Sequence, residues 1–303
     1  MRTDDHRCAA CGAAGLHPHL RVAGDAGPQG LIPTTDRYGS ALSDIVRCGR
    51  CGHMQLERMP SDAELGEAYG DAASEDYADE EAGQRASARA ALEQIERHSG
   101  GPGAVVDLGC WVGFLLAEAR DRGWRTLGVE PSEFASAYAR DRLRLDVLTG
   151  DLMTAPVPAG EWDAVVLGDV IEHLPRPGDA LERIAALLKP GGVVYMALPD
   201  AGSRVARLMG ARWWSVLPTH VQYFTRASMA TLLRRHGFEP LAVRTAPKAF
   251  TVGYYLDRIG GYSRPLGDGL VRVASAAGIA DRIWAPDFRD RMAVVARAPG
   301  AGR

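Results

Sequence analysis

Lysine is almost missing from this chain. Among 303 residues only Lys189 and Lys248 occur, and arginine carries nearly all the positive charge. The formal net charge is -3. Nucleic-acid binding rests on clustered positive charge, so that class of function is disfavoured. No apolar run is long enough to span a bilayer, and no membrane partner is expected. The start, Met1-Arg2-Thr3-Asp4-Asp5-His6, lacks the apolar core of a signal peptide, so the expected location is the cytoplasm. What remains is an ordinary globular composition, 46% hydrophobic and 24% charged. The length suits one large domain plus a small one.

Cysteine is also scarce, with five residues, but four of them stand as two C-x-x-C pairs. In a reducing compartment such pairs are more often metal ligands than disulfides. Cys8-Ala9-Ala10-Cys11-Gly12 and Cys48-Gly49-Arg50-Cys51-Gly52 share one design, two thiolates across a tight turn with glycine next. Together they complete a four-sulfur Zn²⁺ site with no open position, hence a structural zinc. Redox chemistry at one pair is the competing reading. A loop rich in Gly, Pro, Thr and Asp, residues 24–40, should project between the pairs. His6, His17, His19 and His53 lie nearby and are read as solvated or packing residues. Residues 1–59 therefore form a zinc-binding segment with little core of its own.

Residues 60–100 read as linker helices. Pro60-Ser61-Asp62-Ala63-Glu64-Leu65 is a helix-start signal. Tyr69 and Tyr77 sit in an acidic stretch, a solvated connector or else a lid over a bound ligand. Ala88, Ala91, Leu92 and Ile95 recur at helical spacing within 84–98, and Gly100-Gly101 ends that helix.

The chain is organised around Val105-Val106-Asp107-Leu108-Gly109-Cys110-Trp111-Val112-Gly113-Phe114. An apolar run, a glycine turn and an apolar helical pattern read as strand, turn and helix. The G-x-x-x-G spacing differs from the dinucleotide G-x-G-x-x-G and from the phosphate loop, and no lysine follows Gly113. Strands over 104–108, 124–130, 146–149, 162–167 and 193–198 alternate with helices over about 113–122, from Pro131-Ser132-Glu133 to about 143, and 178–188. Such alternation predicts an α/β fold, a Rossmann-like parallel sheet covered on both faces. Ligands then sit beyond the carboxyl ends of the strands, where strand order reverses.

Acids fall at several of those ends. Glu130, after strand two, suits a ribose diol or caps a helix with Ser132. Asp151, in Thr149-Gly150-Asp151-Leu152-Met153, suits an adenine amino group, with Leu152 and Met153 against the ring, or is a turn residue. Asp107 could orient the turn or meet a ligand ammonium. Asp169, in Gly168-Asp169-Val170-Ile171-Glu172-His173, lies near the glycines or caps the next helix. Cys110 sits inside the turn itself.

The order of these features, closing with Leu188-Lys189-Pro190-Gly191-Gly192, resembles the successive motifs of class I S-adenosylmethionine-dependent methyltransferases over residues 104–200. The resemblance implies an enzyme whose cofactor is S-adenosylmethionine. By the same resemblance Asp107, Gly109 and Gly113 line the methionine end, Glu130 holds the ribose and Asp151 reads the adenine. A zinc-knuckle head, a tyrosine-bearing connector, His220-x-x-Tyr223-Phe224-Thr225 and the tail Asp290-Arg-Met-Ala-Val-Val-Ala-Arg297 are similar to a bacterial subgroup. That subgroup methylates small molecules, including deoxysugars and antibiotic intermediates. The longer carboxyl-terminal domain of its deoxysugar C-methyltransferases has no counterpart here.

The acceptor side is expected in residues 202–225 and 248–290 of a domain spanning 101–303. Trp213, Trp214, His220, Tyr223 and Phe224 make an aromatic stretch with polar groups, as small-molecule pockets do. Methyl transfer from a sulfonium needs positioning and exclusion of water, and a base where the acceptor is a hydroxyl or acidic carbon. His173 is the first candidate for that base and His220 the second, with Glu172 or Tyr223 orienting it. The partner is then a small natural-product or sugar-like acceptor, and a homodimer is compatible with all of this. An RNA methyltransferase and a non-catalytic cofactor-binding scaffold are the competing readings.

Overall fold

The computed structural model describes residues 7–22, 38–61 and 80–300. The expected loop tip within 24–37, the helix start after Ser61, and Tyr69 and Tyr77 lie outside the described residues. The cysteine segment forms three antiparallel strands, β1 (Leu16–Leu20), β2 (Ile45–Cys48) and β3 (Met54–Leu56). Helix α1 (Glu81–Ser99) follows, ended by Gly100 in a left-handed conformation.

From there strand and helix alternate as the sequence predicts. They are β4 (Ala104–Leu108), α2 (Phe114–Asp121), β5 (Arg125–Glu130), α3 (Glu133–Leu143), β6 (Val147–Thr149) and β7 (Trp162–Gly168). A single 3-10 turn at Ile171–His173 leads to α4 (Pro177–Leu187) and β8 (Leu188–Pro199). Next come α5 (Arg204–Met209), β9 (Gln222–Tyr223), α6 (Arg226–Arg235) and β10 (Glu239–Thr245). The insertion holds β11 (Phe250–Thr251), α7 (Val252–Arg258), α8 (Arg264–Ala276) and β12 (Ile283–Trp284), and β13 (Arg291–Arg297) closes the fold.

The main sheet has the order β10-β13-β8-β7-β4-β5-β6. β4 to β8 are parallel, while β13 runs antiparallel to both β8 and β10. β4 is buried along its whole length, as an apolar central strand with helices on both faces must be. Alternate residues feed opposite cores. Val105 packs with Leu92, Ile95, Leu116 and Ala117 of α1 and α2. Val106 and Leu108 pack with Leu181 and Ile184 of α4 and Leu232 of α6. Strand order reverses at β4, where β5 leaves on one side and β7 on the other. The carboxyl end of β4 is therefore the place for a ligand.

The sequence did not reveal that the cysteine segment and the acceptor-side block share a sheet. β9 pairs with β3, matching Met54 to Tyr223 and Gln55 to Gln222, and completes the order β1-β2-β3-β9. Trp213, Val216, Val221 and Tyr223 share one core with Ile45, Met54 and Leu56.

Candidate active site

At the end of β4 the backbone turns through Gly109 (φ 85°) and Gly113 (φ 86°). Both lie in the left-handed region that glycine enters without penalty. Between them Trp111 is also left-handed, at φ 50°, a costly state for a bulky residue. Glu130 holds the turn there. One carboxylate oxygen accepts the Trp111 N–H at 2.8 Å and the other the Ser132 N–H at 2.9 Å. Ser132 in turn caps α3 by accepting from the Ala135 N–H. Glu130 thus braces the turn and the start of the next helix, and the capping itself falls to Ser132.

Asp107 lies beneath the same turn. It is buried, and its Oδ1 meets no hydrogen-bond donor among the described residues. Burial first, and then the Glu130 charge, push its carboxyl up to about 8. Burial likewise raises Glu130, against the lowering pull of the Ser132 and Trp111 N–H groups. Two carboxylates at adjacent strand tips, one with an orphaned oxygen, favour a ligand that brings donors and positive charge.

The other residues expected at this end are placed as follows. The Asp151 side chain is exposed and accepts the Met153 N–H at 2.7 Å within its own turn. Leu152 is buried, and Met153 is more exposed. Cys110 is buried, with its sulfur under β5 in the core shared by α1 and α2.

Asp169 has φ 56° and spends its carboxylate on two cations. Lys248 Nζ stands 2.6 Å from one oxygen, and the Arg291 guanidinium bonds the other. Burial alone would raise this carboxyl, but Arg291 and Lys248 hold it well below the usual range. Sequence reasoning missed both partners. The signals were one of only two lysines and an arginine already inside the quoted tail motif.

Glu172, His173 and His220 come together from two segments, because the Val221 N–H bonds the Glu172 carbonyl at 2.9 Å. His173 Nδ1 lies 2.9 Å from the Thr219 carbonyl, and His220 Nδ1 lies 2.8 Å from the Ser215 carbonyl. The rings meet edge to face with centroids 4.7 Å apart. Burial lowers His173; burial and then His173 bring His220 down to about 3, so both rings are neutral near pH 7. The Glu172 carboxylate is buried and meets no hydrogen-bond donor among the described residues. Burial and then Asp169 push it up to about 8. The Tyr223 hydroxyl is buried with no described partner, and burial raises it.

Around this cluster, Trp213 and Trp214 direct their indole N–H groups at the Asp290 carboxylate, at 3.4 and 2.8 Å. Phe288 and Trp284 of the insertion continue the aromatic wall from Trp214. To one side lies a groove of about 710 Å³ lined by Arg204, Arg207, Arg226 and Arg289. None of the acids or histidines above lines it.

The four paired cysteines also converge. Cys8 and Cys51 sulfurs are 3.5 Å apart, and those of Cys11 and Cys48 are 3.6 Å apart. All four offer a sulfur within 4.8 Å of one another. Two sulfurs about 2.3 Å from a shared ion at the tetrahedral angle stand about 3.8 Å apart, so the set fits Zn²⁺. Each turn closes alike, with Gly12 and Gly52 N–H groups donating to the Cys8 and Cys48 carbonyls. Burial would raise the Cys48 thiol, yet the Cys51 and Arg50 N–H groups bring it down to about 7. His53 is no part of this cluster. It is buried and bonds Gln222.

The profile of the methyltransferase domain family matches residues 80–243, more than half the chain. The chain belongs to that family. Within this methyltransferase the matched region runs from α1 through β10 and holds the glycine turn, Glu130, Asp169 and both histidines. It is similar to ubiquinone biosynthesis O-methyltransferases. That of Stutzerimonas stutzeri is 31% identical over 100 residues, 31% of this chain and 43% of that one. That of Aromatoleum aromaticum is 29% identical over 162 residues, 49% and 69% of the two chains. The chain spans about half the length of the curated relatives it matches first. In fold it is similar to the crystal structure of Burkholderia thailandensis 1,6-didemethyltoxoflavin-N1-methyltransferase with bound 1,6-didemethyltoxoflavin and S-adenosylhomocysteine. The TM-score there is 0.51 at 18% identity, covering 83% of this chain and 97% of that one. Among the described residues no helix is long and apolar enough to cross a membrane.

Proposed function

We propose that this methyltransferase moves a methyl group from S-adenosylmethionine to a small natural-product or sugar-like acceptor, as an enzyme of antibiotic biosynthesis would. The carrying observation is the pair Asp107 and Glu130 at adjacent strand tips around the 109–113 turn, with Asp107 Oδ1 unsatisfied. The names of its relatives support a small-molecule acceptor. When bound, S-adenosylmethionine supplies a methyl carbon on a positively charged sulfur.

The chain's own residues do the rest. Glu130 keeps lone pairs for a ribose diol while its bonds to Trp111 and Ser132 fix its position. Asp107 answers an ammonium group, Gly109 and Gly113 let the ligand lie against the backbone, and Asp151 and Leu152 meet the adenine. Asp169, fixed by Lys248 and Arg291, shapes the end of β7 facing the turn. His173 takes the acceptor's proton, with His220 the second candidate. Both rings are neutral near pH 7, and a neutral imidazole keeps one lone pair that can take a proton. Thr219 and Ser215 carbonyls hold the two rings, and Glu172 and Tyr223, which bond neither ring in the free protein, are the groups that would orient the pair once the acceptor is bound. A structural zinc on Cys8, Cys11, Cys48 and Cys51 holds the amino-terminal sheet, which supports the acceptor side through β9.

The test is S-adenosylhomocysteine release over a panel of hydroxylated and amino-bearing small molecules. His173→Ala should slow turnover and leave cofactor affinity nearly unchanged. Full activity in that variant removes His173 as the base.

A further inference from the structure

We infer that the arginine-lined groove beside the aromatic wall binds a phosphate or diphosphate group carried by the acceptor, as a handle remote from the reacting atom. The inference rests on the acceptor-side reading above and names the chemical class of that acceptor.

The groove draws its cations from three parts of the chain. Arg204 and Arg207 lie three residues apart on α5, so they are neighbours on its surface. Arg226 opens α6, and Arg289 stands just before β13. All four line one groove of about 710 Å³, within the range of about 300–1,000 Å³ usual for small-molecule sites. Two aspartates, Asp200 and Asp287, face these four arginines there. The lining therefore keeps an excess of positive charge, in a chain whose net charge is -3.

Both aspartates are already committed. The buried Asp200 carboxylate accepts the Gly202 N–H at 2.9 Å with one oxygen and Arg226 Nε at 2.8 Å with the other. Asp287 accepts the Arg289 backbone N–H at 2.8 Å with one oxygen and the Thr245 hydroxyl at 2.9 Å with the other. These bonds hold Arg226 by its side chain and Arg289 by its backbone. The guanidiniums of Arg204, Arg207 and Arg289 form no ion pair among the described residues, and Arg207 Nε reaches only the Ser203 carbonyl, at 3.4 Å. Cations gathered around one groove repel each other less when an anion sits between them. A carboxylate brings one negative charge. A phosphate ester brings close to two near pH 7 with three strong acceptor oxygens, and guanidinium forks bond such oxygens in pairs. The surplus of charge and the number of free donors match the phosphate.

The groove is continuous with the acceptor side. Phe288 lines it and meets the Trp214 ring edge to face, with centroids 5.8 Å apart. The Asp200 N–H bonds the Asp290 carbonyl at 2.7 Å, and the Asp290 carboxylate accepts the Trp214 indole N–H. An acceptor lying along this wall puts its anionic end in the groove and its reacting end toward His173 and His220, neither of which lines the groove. Binding energy gained away from the chemistry serves to position the reacting group.

The test uses the full chain with its cofactor site filled by S-adenosylhomocysteine, so that added anion cannot enter there. Sodium pyrophosphate is titrated by calorimetry at one low, fixed ionic strength into the wild type, Arg204→Gln, Arg289→Gln and a control, Arg142→Gln, whose exposed arginine lies on α3. Expected is about one equivalent bound by wild type and control, with affinity at least about tenfold weaker in each groove variant. S-adenosylhomocysteine affinity should be the same in all four proteins, which shows that they are folded. In turnover with S-adenosylmethionine, phosphate esters of hydroxylated small molecules should have a lower KM than the parent alcohols, and the two groove substitutions should close that gap. No pyrophosphate binding by the wild type, or equal affinity in the groove variants and the control, overturns the inference. Turnover that does not favour the phosphate esters assigns the groove to free phosphate and overturns it too. Failure of the wild type to bind S-adenosylhomocysteine would instead defeat the methyltransferase reading, whatever the anion does.

Discussion

His53 of the cysteine segment bonds Gln222 of the acceptor-side block, Nε2 to Oε1 at 2.8 Å, with both side chains buried. The Gln222 amide nitrogen donates in turn to the carbonyls of Leu174 and Pro175, directly after His173. The segment with the zinc-type cluster is therefore keyed to the turn that carries Glu172 and His173. Burial brings His53 down to about 4, so it stays a neutral member of this network.

Gln222→Ala strands the His53 ring and two carbonyls in the interior. It should cost about 1–3 kcal/mol of stability and lower turnover while S-adenosylmethionine still binds. Denaturant unfolding and calorimetry on the same preparation check both halves. A variant as stable and active as wild type would mean that the two parts are not mechanically linked.

Cys48→Ser removes one of four converging sulfurs. Protein purified reduced and without chelator should carry about one zinc held by the cysteines, and this variant should lack it. Because β2 ends at Cys48 and β3 bonds β9, loss of the ion should also loosen the acceptor side. Elemental analysis with and without the substitution decides the matter, and an unchanged zinc content would refute the thiolate site.

Asp107 gives a proton-linkage prediction. With its carboxyl near 8 in the free protein, it is mostly protonated at pH 7. A ligand bearing an ammonium and a sulfonium favours the carboxylate, so binding lowers that value and must release a proton. Binding enthalpy at pH 7 should therefore vary with the ionisation enthalpy of the buffer, in the sense of net release. Asp107→Asn should remove that release. Proton uptake by the wild type would contradict the role given to Asp107.

The Rossmann-like order was legible in the sequence because its parts are local. The run 104–108, the glycines at 109 and 113 and the apolar helix after them signal strand, turn and helix within ten residues. The acids at strand ends were equally visible, and so was the convergence of four cysteines. What was hidden depends on distant pairing. Nothing near Gln222 announces a strand partner at Gln55, and nothing near Asp169 points to Lys248 or Arg291, 79 and 122 residues away. The turn at Asp151 was legible too, and its carboxylate closes that turn through one oxygen and stays exposed after β6.

Glu130→Ala should weaken S-adenosylmethionine binding by about 1–3 kcal/mol, the usual cost of stranding hydrogen-bonded groups. The loss has two sources, the ribose contact and the brace on Trp111. Glu130→Gln separates them in part, because its amide oxygen can still accept one of the two backbone N–H groups. Calorimetry on the three proteins is the check, and equal affinities would take Glu130 out of the site.

The most direct measurement is a crystal structure of the full chain with S-adenosylhomocysteine. The ribose hydroxyls should lie within hydrogen-bond distance of the Glu130 carboxylate, with the amino-acid end over Gly109 and near Asp107. A ligand lodged elsewhere, with Glu130 and Asp107 facing bulk water, would contradict the central claim.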